Sequence, residues 1–292
     1  MSPPAETSTA FDGLPPLRQV IAELGLTAKR SLGQNFILDF NVTRRIARLA
    51  GPFDGMTVVE IGPGPGGLTR ALLAEGAGRV LAVERDERCA PALHAIGAHY
   101  PGRLEVVFAD ALSIDWRSRV SGPVRLVANL PYNVATPLLA NWLETEPWPP
   151  WYDRLVLMFQ QEVGERIVAT PHTKSYGRIS ILAQWRAEAR IVMRLPARAF
   201  TPAPKVDSCL VEIRPTAQPE PGISVAMLSR VTAAAFGQRR KMLRSSLKTL
   251  TPDVEPLLAA AGIDPQARAE ALSVADFVRL THEATRLGCT PR

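Results

Sequence analysis

Three carboxylates and a glycine-rich turn follow short apolar segments in the first half of the sequence. Glu60 stands near the end of MTVVEI, Glu84 directly follows RVLAV, and Asp110 follows LEVVF after one alanine. The turn GPGPGG occupies residues 62–67. Glycines allow a ligand to approach the backbone closely, and carboxylates at successive strand ends accept hydrogen bonds from it. The pattern predicts a site for a small ligand that carries positive charge and hydroxyl groups.

The glycines first raise the possibility of a dinucleotide. Gly62, Gly64 and Gly67 match the G-x-G-x-x-G spacing of dinucleotide-binding turns, so a nicotinamide-dependent oxidoreductase is one alternative. However, Pro63 and Pro65 remove N–H donors that a pyrophosphate needs, and the preceding glutamate adds negative charge beside it. S-adenosylmethionine has a sulfonium, an amino group and no phosphates. We therefore expect it to be the cofactor.

The carboxylates predict how such a cofactor lies. Glu84 comes 22 residues after Gly62, where an acidic residue accepts both ribose hydroxyls in such folds. Asp110 is placed to accept from the adenine amine, and Ala109 and Ala111 leave room for the ring. Any one carboxylate alone is as readily explained as a cap of a helix or loop. Three of them at successive strand ends, after the glycine turn, favour a binding site.

The segment LVANLPYN, residues 126–133, predicts the methyl acceptor. A nucleobase amine is a poor nucleophile because its lone pair is delocalised into the ring. The Asn129 side-chain oxygen and the Leu130 carbonyl would hold both N–H bonds, so that the nitrogen pyramidalises. Pro131 would fix this turn and Tyr132 would stack on the base. The alternative is a plain Asn-Pro turn with a core tyrosine.

A second aromatic side chain is a candidate for the other face of the base. Phe200 in RAFTPAPKVDS is followed by Pro202 and Pro204, which would stiffen a wall over the base. The alternative is a loop phenylalanine packed into a domain junction. No general base is required, since the methylated cation is acidic enough to lose its proton to water.

Apolar segments of strand length alternate with helical ones. The predicted strands are Met56–Ile61, Arg79–Val83, Leu104–Phe108, Val124–Ala128 and Arg154–Phe159, with Ala189–Leu195 and Ser208–Ile213 as a hairpin-like pair that completes the sheet. Alternation of this kind predicts a mostly parallel sheet that binds ligands at the carboxyl ends of its strands. The expected fold is an α/β, Rossmann-like class I methyltransferase domain with a smaller all-helical C-terminal domain.

Composition sets the expected domain boundaries. Residues 1–16 are expected to be disordered, 17–215 to form the methyltransferase domain, 216–222 to be a linker and 223–292 to form the helical domain. The three cysteines are far apart and the four histidines have no ligand spacing, so we expect a reducing compartment and no metal site. Neither a secretory leader nor a membrane-spanning run is evident, which favours a cytoplasmic protein.

Taken in order, the motifs resemble a known family, the ribosomal RNA adenine dimethyltransferases of the KsgA type that act on small-subunit RNA. The motifs are RSLGQNFILD (30–39), VVEIGPGPGGLT, FADA, NLPYN, YGRIS, FTPAPKVDS and FGQRRKMLRSSL (236–247). The resemblance covers about residues 17–284. It implies dimethylation of two adjacent adenosines near the 3′ end of that RNA, with four S-adenosylmethionine consumed. It also implies a role in small-subunit biogenesis and a 30S particle as the partner.

The resemblance also implies residue roles. Gln34 and Asn35 would help hold the methionine part of the cofactor, with Phe36 and Leu38 beside them and Gly62 and Gly64 in the turn. Glu84 would bind the ribose, and Asp110 and Ala111 the adenine end. Asn129 would also contact the cofactor, and together with Tyr132 and Phe200 it would surround the target base. We expect the RNA to be bound by Lys29, Arg30, Arg239, Arg240, Lys241, Arg244 and Lys248.

The basic residues near 240 also have a physical interpretation. The net charge of +6 fits a polyanionic partner. Arg240, Arg244 and Lys248 would stack at i, i+4 and i+8 on one helix face, opposite an apolar stripe of Phe236, Leu243, Leu247 and Leu250. Such a stripe can follow RNA phosphates, although most stripes of this kind are simply solvated.

Two further functions stay open at this point. One is the antibiotic-resistance branch of the same superfamily, which methylates a large-subunit adenosine. The other is a ribosome-assembly factor that keeps the fold without catalysis. We expect a monomer.

Overall fold

The structure, a computed structural model, describes residues 11–28, 33–216 and 222–289. Contacts divide these residues into two compact units. Unit 1 holds the residues up to Leu138 together with Trp151–Gln161 and Ile191–Glu212, and unit 2 holds Leu139–Pro150, Glu162–Arg190 and the residues from Ile213 onward. This division differs from the predicted one, because two segments that precede residue 216 belong to unit 2. Of the predicted linker, only Thr216 and Gly222 are described.

Unit 1 is built on a seven-stranded sheet in the order β4-β3-β2-β5-β6-β9-β7. The strands are β2 (Thr57–Ile61), β3 (Arg79–Glu84), β4 (Leu104–Phe108), β5 (Val124–Ala128), β6 (Arg154–Gln160), β7 (Ala187–Leu195) and β9 (Ser208–Pro215). The four neighbouring pairs among the five strands from β4 to β6 run parallel, with β2 between β3 and β5. The predicted α/β sheet is confirmed, and β7 and β9 are neighbours as expected.

The central strands are apolar because a parallel sheet is covered on both faces. Every residue of β2 and β5 is buried. The helices of unit 1 are α1 (Leu17–Glu23), α2 (Phe40–Ala50), α3 (Gly67–Ala74), α4 (Ala90–His99), α5 (Trp116–Arg119) and the first half of α6 (Tyr132–Leu143). The core joins α2, α3 and α4 to the sheet through residues such as Ile46, Leu72 and Leu93.

A second sheet of two strands fixes the segment that precedes α2. β1 (Phe36–Ile37) pairs antiparallel with β8 (Phe200–Thr201), so that Ile37 lies opposite Phe200. Both of these side chains belong to the hydrophobic core of unit 1. The pairing therefore connects the QNF segment to the FTPAPKVDS segment, which are far apart in sequence.

The residues before α1 are folded against α3. Nε and Nη2 of Arg70 donate to the Asp12 carboxylate at 2.7 and 2.6 Å, and Nη1 donates to the Pro15 carbonyl at 2.7 Å. Both side chains of this ion pair are buried. The expectation of disorder for residues 1–16 thus does not hold for residues 11–16, because a buried guanidinium needs these acceptors. Residues 1–10 lie outside the described part of the chain.

Unit 2 is mainly helical. Its helices are α7 (Gln161–Ile167, which starts at the boundary), α8 (Arg178–Arg186), α9 (Val225–Gly237), α10 (Leu243–Ser246), α11 (Val254–Ala260) and α12 (Val274–Arg286). α9 packs against α8, α10 and α12. The Phe236 ring at the end of α9 stacks on Phe277 of α12, with centroids 5.7 Å apart.

The structure also bears on three other expectations. Cys89, Cys209 and Cys289 are free and buried. Within residues 11–28, 33–216 and 222–289, no helix has the length and apolar character needed to cross a bilayer. In the same ranges, no three His, Cys, Asp or Glu side chains come together as a metal site.

Replacing Asp12 with alanine is expected to destabilise the protein by about 3 kcal/mol, because Arg70 would keep a buried charge without its carboxylate. Urea-induced unfolding measures this. Asp54→Ala, at an exposed position of the same unit, is expected to cost less than about 0.5 kcal/mol. Equal midpoints for the two variants would show that the N-terminal ion pair contributes nothing.

Candidate active site

A cavity of about 260 Å³ lies at the carboxyl ends of the central strands of unit 1. It brings together the segments at residues 33–37, 60–65, 83–85, 109–112 and 129–134. The predicted site residues that line it are Gln34, Asn35, Phe36, Gly62, Gly64, Glu84, Asp110, Ala111, Asn129, Leu130, Pro131 and Tyr132. Four of the seven motifs identified in the sequence, RSLGQNFILD, VVEIGPGPGGLT, FADA and NLPYN, therefore contribute to one cavity.

The turn needs glycine at two positions because neighbouring side chains approach its backbone closely. Gly64 has a φ of +55°, and a Cβ there would lie 3.1 Å from the Phe36 ring. Gly66 has a φ of +89°, and a Cβ there would lie 2.1 Å from the Ile96 side chain. A side chain at either position would both strain the backbone and displace a neighbour. The turn therefore keeps its backbone exposed to the cavity, with Phe36 packed against it.

Glu84 connects the turn to the end of β3. Its carboxylate accepts from the backbone N–H groups of Gly64, Arg85 and Asp86, each at 2.8 Å. Burial raises its pKa, and these three donors oppose the rise. Because a carboxylate has about four acceptor positions, one remains for a ligand. Glu84 therefore holds the turn in place and still offers an acceptor to a hydroxyl.

Glu60 is a buried carboxyl without a complete set of partners. Burial raises its pKa to about 8, and the nearby Glu84 adds to the rise. The Thr69 side chain lies beside it and moderates the rise, but neither Thr69 Oγ1 nor Glu60 Oε2 has a hydrogen-bond partner among the described residues. A buried acceptor of this kind, lining the cavity, would be stabilised by a cationic ligand.

Asp110 caps a short turn and also lies at the cavity. Its Oδ1 accepts from the Leu112 N–H at 3.0 Å, which is a capping bond. Its Oδ2 lies 3.6 Å from Arg85 Nη1, and the side chain is about half exposed. Asp110 and Ala111 also line the cavity. Capping therefore positions the carboxylate at the cavity rim rather than removing it from the site.

Gln34 and Asn35 are held by separate partners. Gln34 Nε2 donates to Asp86 Oδ2 at 3.1 Å. Asp86 also binds the Arg88 guanidinium, which is the main cause that lowers the pKa of Asp86 to about 2. Asn35 Nδ2 donates to the Gly33 carbonyl at 3.1 Å. These contacts fix the segment that begins at Gly33.

The Asn129 side chain has a defined orientation. Its Nδ2 donates to the Asn35 carbonyl at 3.0 Å. A carbonyl can only accept, so this bond places the amide nitrogen toward Asn35 and leaves Oδ1 as the acceptor. α6 begins at Tyr132, the last residue of the tetrapeptide NLPY (129–132), and the Val134 and Ala135 N–H groups both donate to the Pro131 carbonyl at 3.1 Å.

Tyr132 is anchored by a residue that sequence reasoning did not select. Its hydroxyl shares a hydrogen bond of 2.6 Å with the Ser208 hydroxyl. Ser208 is fully buried at the start of β9, and burial raises the pKa of Tyr132. Ser208 is the last residue of the FTPAPKVDS motif. Its position in that motif was the one signal in the sequence that could have identified Ser208.

Two predicted residues lie away from the cavity. Phe200 does not line it, is 3% exposed and packs in the core of unit 1. Leu38 lines an adjoining cavity beside α2, whereas its neighbour Ile37 lines the main one. Ile37 was missed because a two-residue strand is too short for its alternation to show in the sequence.

The predicted basic stripe does not form on one helix. α9 ends at Gly237 and α10 begins at Leu243, so the i, i+4, i+8 arrangement expected over residues 240–248 is wrong. Gln238 leaves the helical conformation, and the Leu243 N–H instead donates to the Ala267 carbonyl at 2.8 Å. Leu243, Leu247 and Leu250 are nevertheless buried.

The basic side chains of this segment differ from one another. Arg240, Lys241, Arg244 and Lys248 are exposed. Arg239 is half-buried and pairs with Glu270 at 3.0 Å. Lys29 and Arg30 lie outside the described residues.

Comparison with known proteins identifies one family over most of the chain. A model of the family described as "Ribosomal RNA adenine dimethylase" matches residues 25–286. The chain is 60% identical to "Ribosomal RNA small subunit methyltransferase A" of Dinoroseobacter shibae, over 94% of this chain and 98% of that protein. It is 59% identical to the protein of the same name from Sinorhizobium medicae, over 94% of this chain and 98% of that one.

Solved structures support the fold. A dimethyladenosine transferase from Plasmodium falciparum superimposes with a TM-score of 0.69 at 23% identity, over 85% of this chain and 97% of that one. The 23S rRNA methyltransferase ErmE superimposes with a TM-score of 0.64 at 28% identity, over 85% of this chain and 99% of that one. The fold is that of the class I methyltransferases. Since the family model and relatives near 60% identity both span most of its length, this chain belongs to the ribosomal RNA adenine dimethylase family.

Proposed function

We propose that this protein transfers methyl groups from S-adenosylmethionine to the N6 amines of two adjacent adenosines near the 3′ end of small-subunit ribosomal RNA. The observation that carries the proposal is the Asn129 amide, which is oriented by the Asn35 carbonyl at 3.0 Å so that Oδ1 remains as an acceptor. This acceptor lies in the same cavity as the carboxylates and the glycine turn. The site thus combines a place for a methyl donor with a group that engages an amine.

The cavity fits S-adenosylmethionine chemically. The acceptor Oε2 of Glu60 has no hydrogen-bond partner among the residues that the structure describes and suits the ammonium group, with which its carboxyl would ionise. Glu84 has one acceptor position for a ribose hydroxyl, and Asp110 stands at the rim for the adenine amine. When bound, the cofactor supplies an electrophilic methyl group on a sulfonium. The two prolines in the turn are no obstacle, since no phosphate must be held.

The protein's own groups prepare the acceptor amine. Asn129 Oδ1 and the Leu130 carbonyl each accept one N–H bond, which localises the lone pair on nitrogen and directs it away from the base plane. Pro131 holds the carbonyl in place because its ring restricts the backbone. Tyr132 offers an aromatic face whose hydroxyl is fixed by Ser208. The proton leaves to water once the amine is methylated.

Two alternatives are less well supported. ErmE, which is named for 23S rRNA, is 28% identical to this chain, whereas the relatives near 60% identity are named for the small subunit. A factor without catalysis would have no need for an oriented Asn129 amide beside the carboxylates.

The further proposals are a 30S particle as the partner, a role in its biogenesis, a monomeric state and a cytoplasmic location.

Methyl transfer from labelled S-adenosylmethionine to small subunits that lack the modification tests this function. Nucleoside mass spectrometry should detect dimethyladenosine in the small-subunit RNA and none in large subunits. A product in large subunits alone would favour the antibiotic-resistance type. The absence of dimethyladenosine from both would refute the enzymatic proposal.

Asn129→Ala is expected to lower the rate of methyl transfer by at least about 100-fold, because the amine loses one of its two acceptors. S-adenosylhomocysteine affinity should change by less than about threefold. Asn141→Ala, at an exposed position of the helix α6 that follows Asn129, serves as the control and should retain activity. A parallel loss of both activity and cofactor affinity would mean that Asn129 is a cofactor ligand or structural.

Tyr132→Phe and Ser208→Ala remove the same hydrogen bond, so each should reduce kcat/KM for the RNA by about three- to tenfold. The double variant should lose no more than the larger single loss, since the two residues act through one contact. Steady-state kinetics on all four proteins measures this coupling. Additive losses would show that Ser208 does not position Tyr132.

Phe200→Leu separates packing from base stacking. Leucine keeps the core filled, so the free energy of unfolding should fall by less than about 1.5 kcal/mol. Because the ring is buried in the core and does not line the cavity, KM for the RNA should change by less than about threefold. A KM raised roughly tenfold would instead assign Phe200 to stacking on the base, which contributes about 1–3 kcal/mol.

A further inference from the structure

A basic loop in unit 2 lies beside the basic segment that the sequence singled out. The loop comprises residues 170–178, TPHTKSYGR, and we call it the basic loop; the basic segment comprises residues 239–248. The two are separated by about 60 residues of chain. Of the loop, His172, Thr173, Lys174 and Arg178 are exposed.

Three contacts hold the basic loop to the end of α9 and to the turn before α12. The His172 N–H donates to the Glu270 carbonyl at 2.7 Å. Arg239 Nε binds the Glu270 carboxylate at 3.0 Å, and Arg239 Nη2 donates to the Thr173 carbonyl at 3.2 Å. Arg239 therefore joins the loop to the segment, and its guanidinium is occupied by protein acceptors.

The basic loop is also fixed within itself. Thr173 Oγ1 donates to the Thr170 carbonyl at 2.6 Å, and the Tyr176 N–H donates to the Thr173 carbonyl at 3.2 Å. The Tyr176 side chain is fully buried and meets the Phe236 ring edge-on, with centroids 6.2 Å apart. Lys174 thus projects from a loop whose backbone is held on both sides. Such preorganisation reduces the entropy lost on binding.

The cations of this surface lack protein partners. Within the described ranges, no salt bridge forms to Lys174, Arg178, Arg240, Lys241, Arg244 or Lys248. Glu270 is paired with Arg239, and Asp264 is an exposed carboxylate that accepts from the Gln266 N–H at 2.9 Å. The six cations therefore remain available to an anionic partner.

We propose that the basic loop is a second RNA-binding element, in which Lys174 and Arg178 bind phosphates of the same RNA that the basic segment contacts. The proposal rests on the proposed function and adds to it a phosphate-binding site from a different part of the chain. Arg239 and Glu270 act as positioning residues that keep the two elements adjacent. Phosphate contacts fix the register of a protein on RNA without reading its sequence.

The test is the salt dependence of binding to an RNA fragment that contains the 3′ region of small-subunit RNA. Lys174→Gln/Arg178→Gln should weaken binding and lower the slope of log affinity against log salt by about 1.5, since each phosphate contact contributes roughly 0.7 to 0.9. Urea-induced unfolding should be unchanged, because both side chains are exposed.

The matched control is Arg279→Gln/Arg286→Gln on α12, which removes two charges that pair with Asp276 and Glu283. It should keep the wild-type slope. A slope unchanged by the loop variant overturns the proposal, and so does an equal loss in the control, which would reflect net charge alone. Wild-type protein that binds the RNA but forms no dimethyladenosine would refute the proposed function and leave the test of the basic loop valid.

Discussion

The hydrogen bond from Asn129 Nδ2 to the Asn35 carbonyl is the contact on which the site depends. A carboxamide has a donor end and an acceptor end, and only the acceptor end can engage an amine that must keep its lone pair free. The Asn35 carbonyl removes this ambiguity because it can bind only the donor end. The segment that supplies this carbonyl is itself held by the pairing of β1 with β8. The chemistry at Asn129 is thus set by backbone geometry elsewhere in unit 1.

On the cofactor side of the cavity, too, protein contacts fix the polar groups before a ligand binds. Glu84 has three backbone donors and therefore cannot turn away from the cavity. Glu60 is the opposite case, since its buried Oε2 lacks a partner and burial raises its pKa to about 8. An incompletely satisfied buried carboxyl costs stability. Such a cost is typical of a site that is completed by its ligand.

Much of this arrangement could be predicted from the sequence because its signals are local. The strands β2 to β6 lie within one residue of their predicted ends, since buried parallel strands are continuous apolar runs with sharp boundaries. The conformations of the glycine turn and of NLPY are set largely by their own glycines and proline, and both segments line one cavity. The grouping of the carboxylates followed from the parallel topology, which places the carboxyl ends of neighbouring strands at one edge of the sheet.

What escaped prediction depends on partners that are distant in sequence. Composition suggested disorder at Asp12, but Arg70 holds it in place. The helix expected through residue 240 is interrupted because the Leu243 N–H donates to the Ala267 carbonyl instead of to a helical partner. Ser208 and the basic loop acquire their roles from contacts across more than 60 residues. Sequence periodicity records which face is apolar, but it does not record which distant backbone group a side chain will meet.

The most direct measurement of the central claim is a crystal structure of the protein with S-adenosylhomocysteine and adenosine bound. The predicted result places the adenosine N6 atom about 3 Å from both Asn129 Oδ1 and the Leu130 carbonyl, with the Asn129 amide nitrogen still on Asn35. A structure in which N6 contacts neither acceptor, or in which the Asn129 amide has left Asn35, would contradict the account.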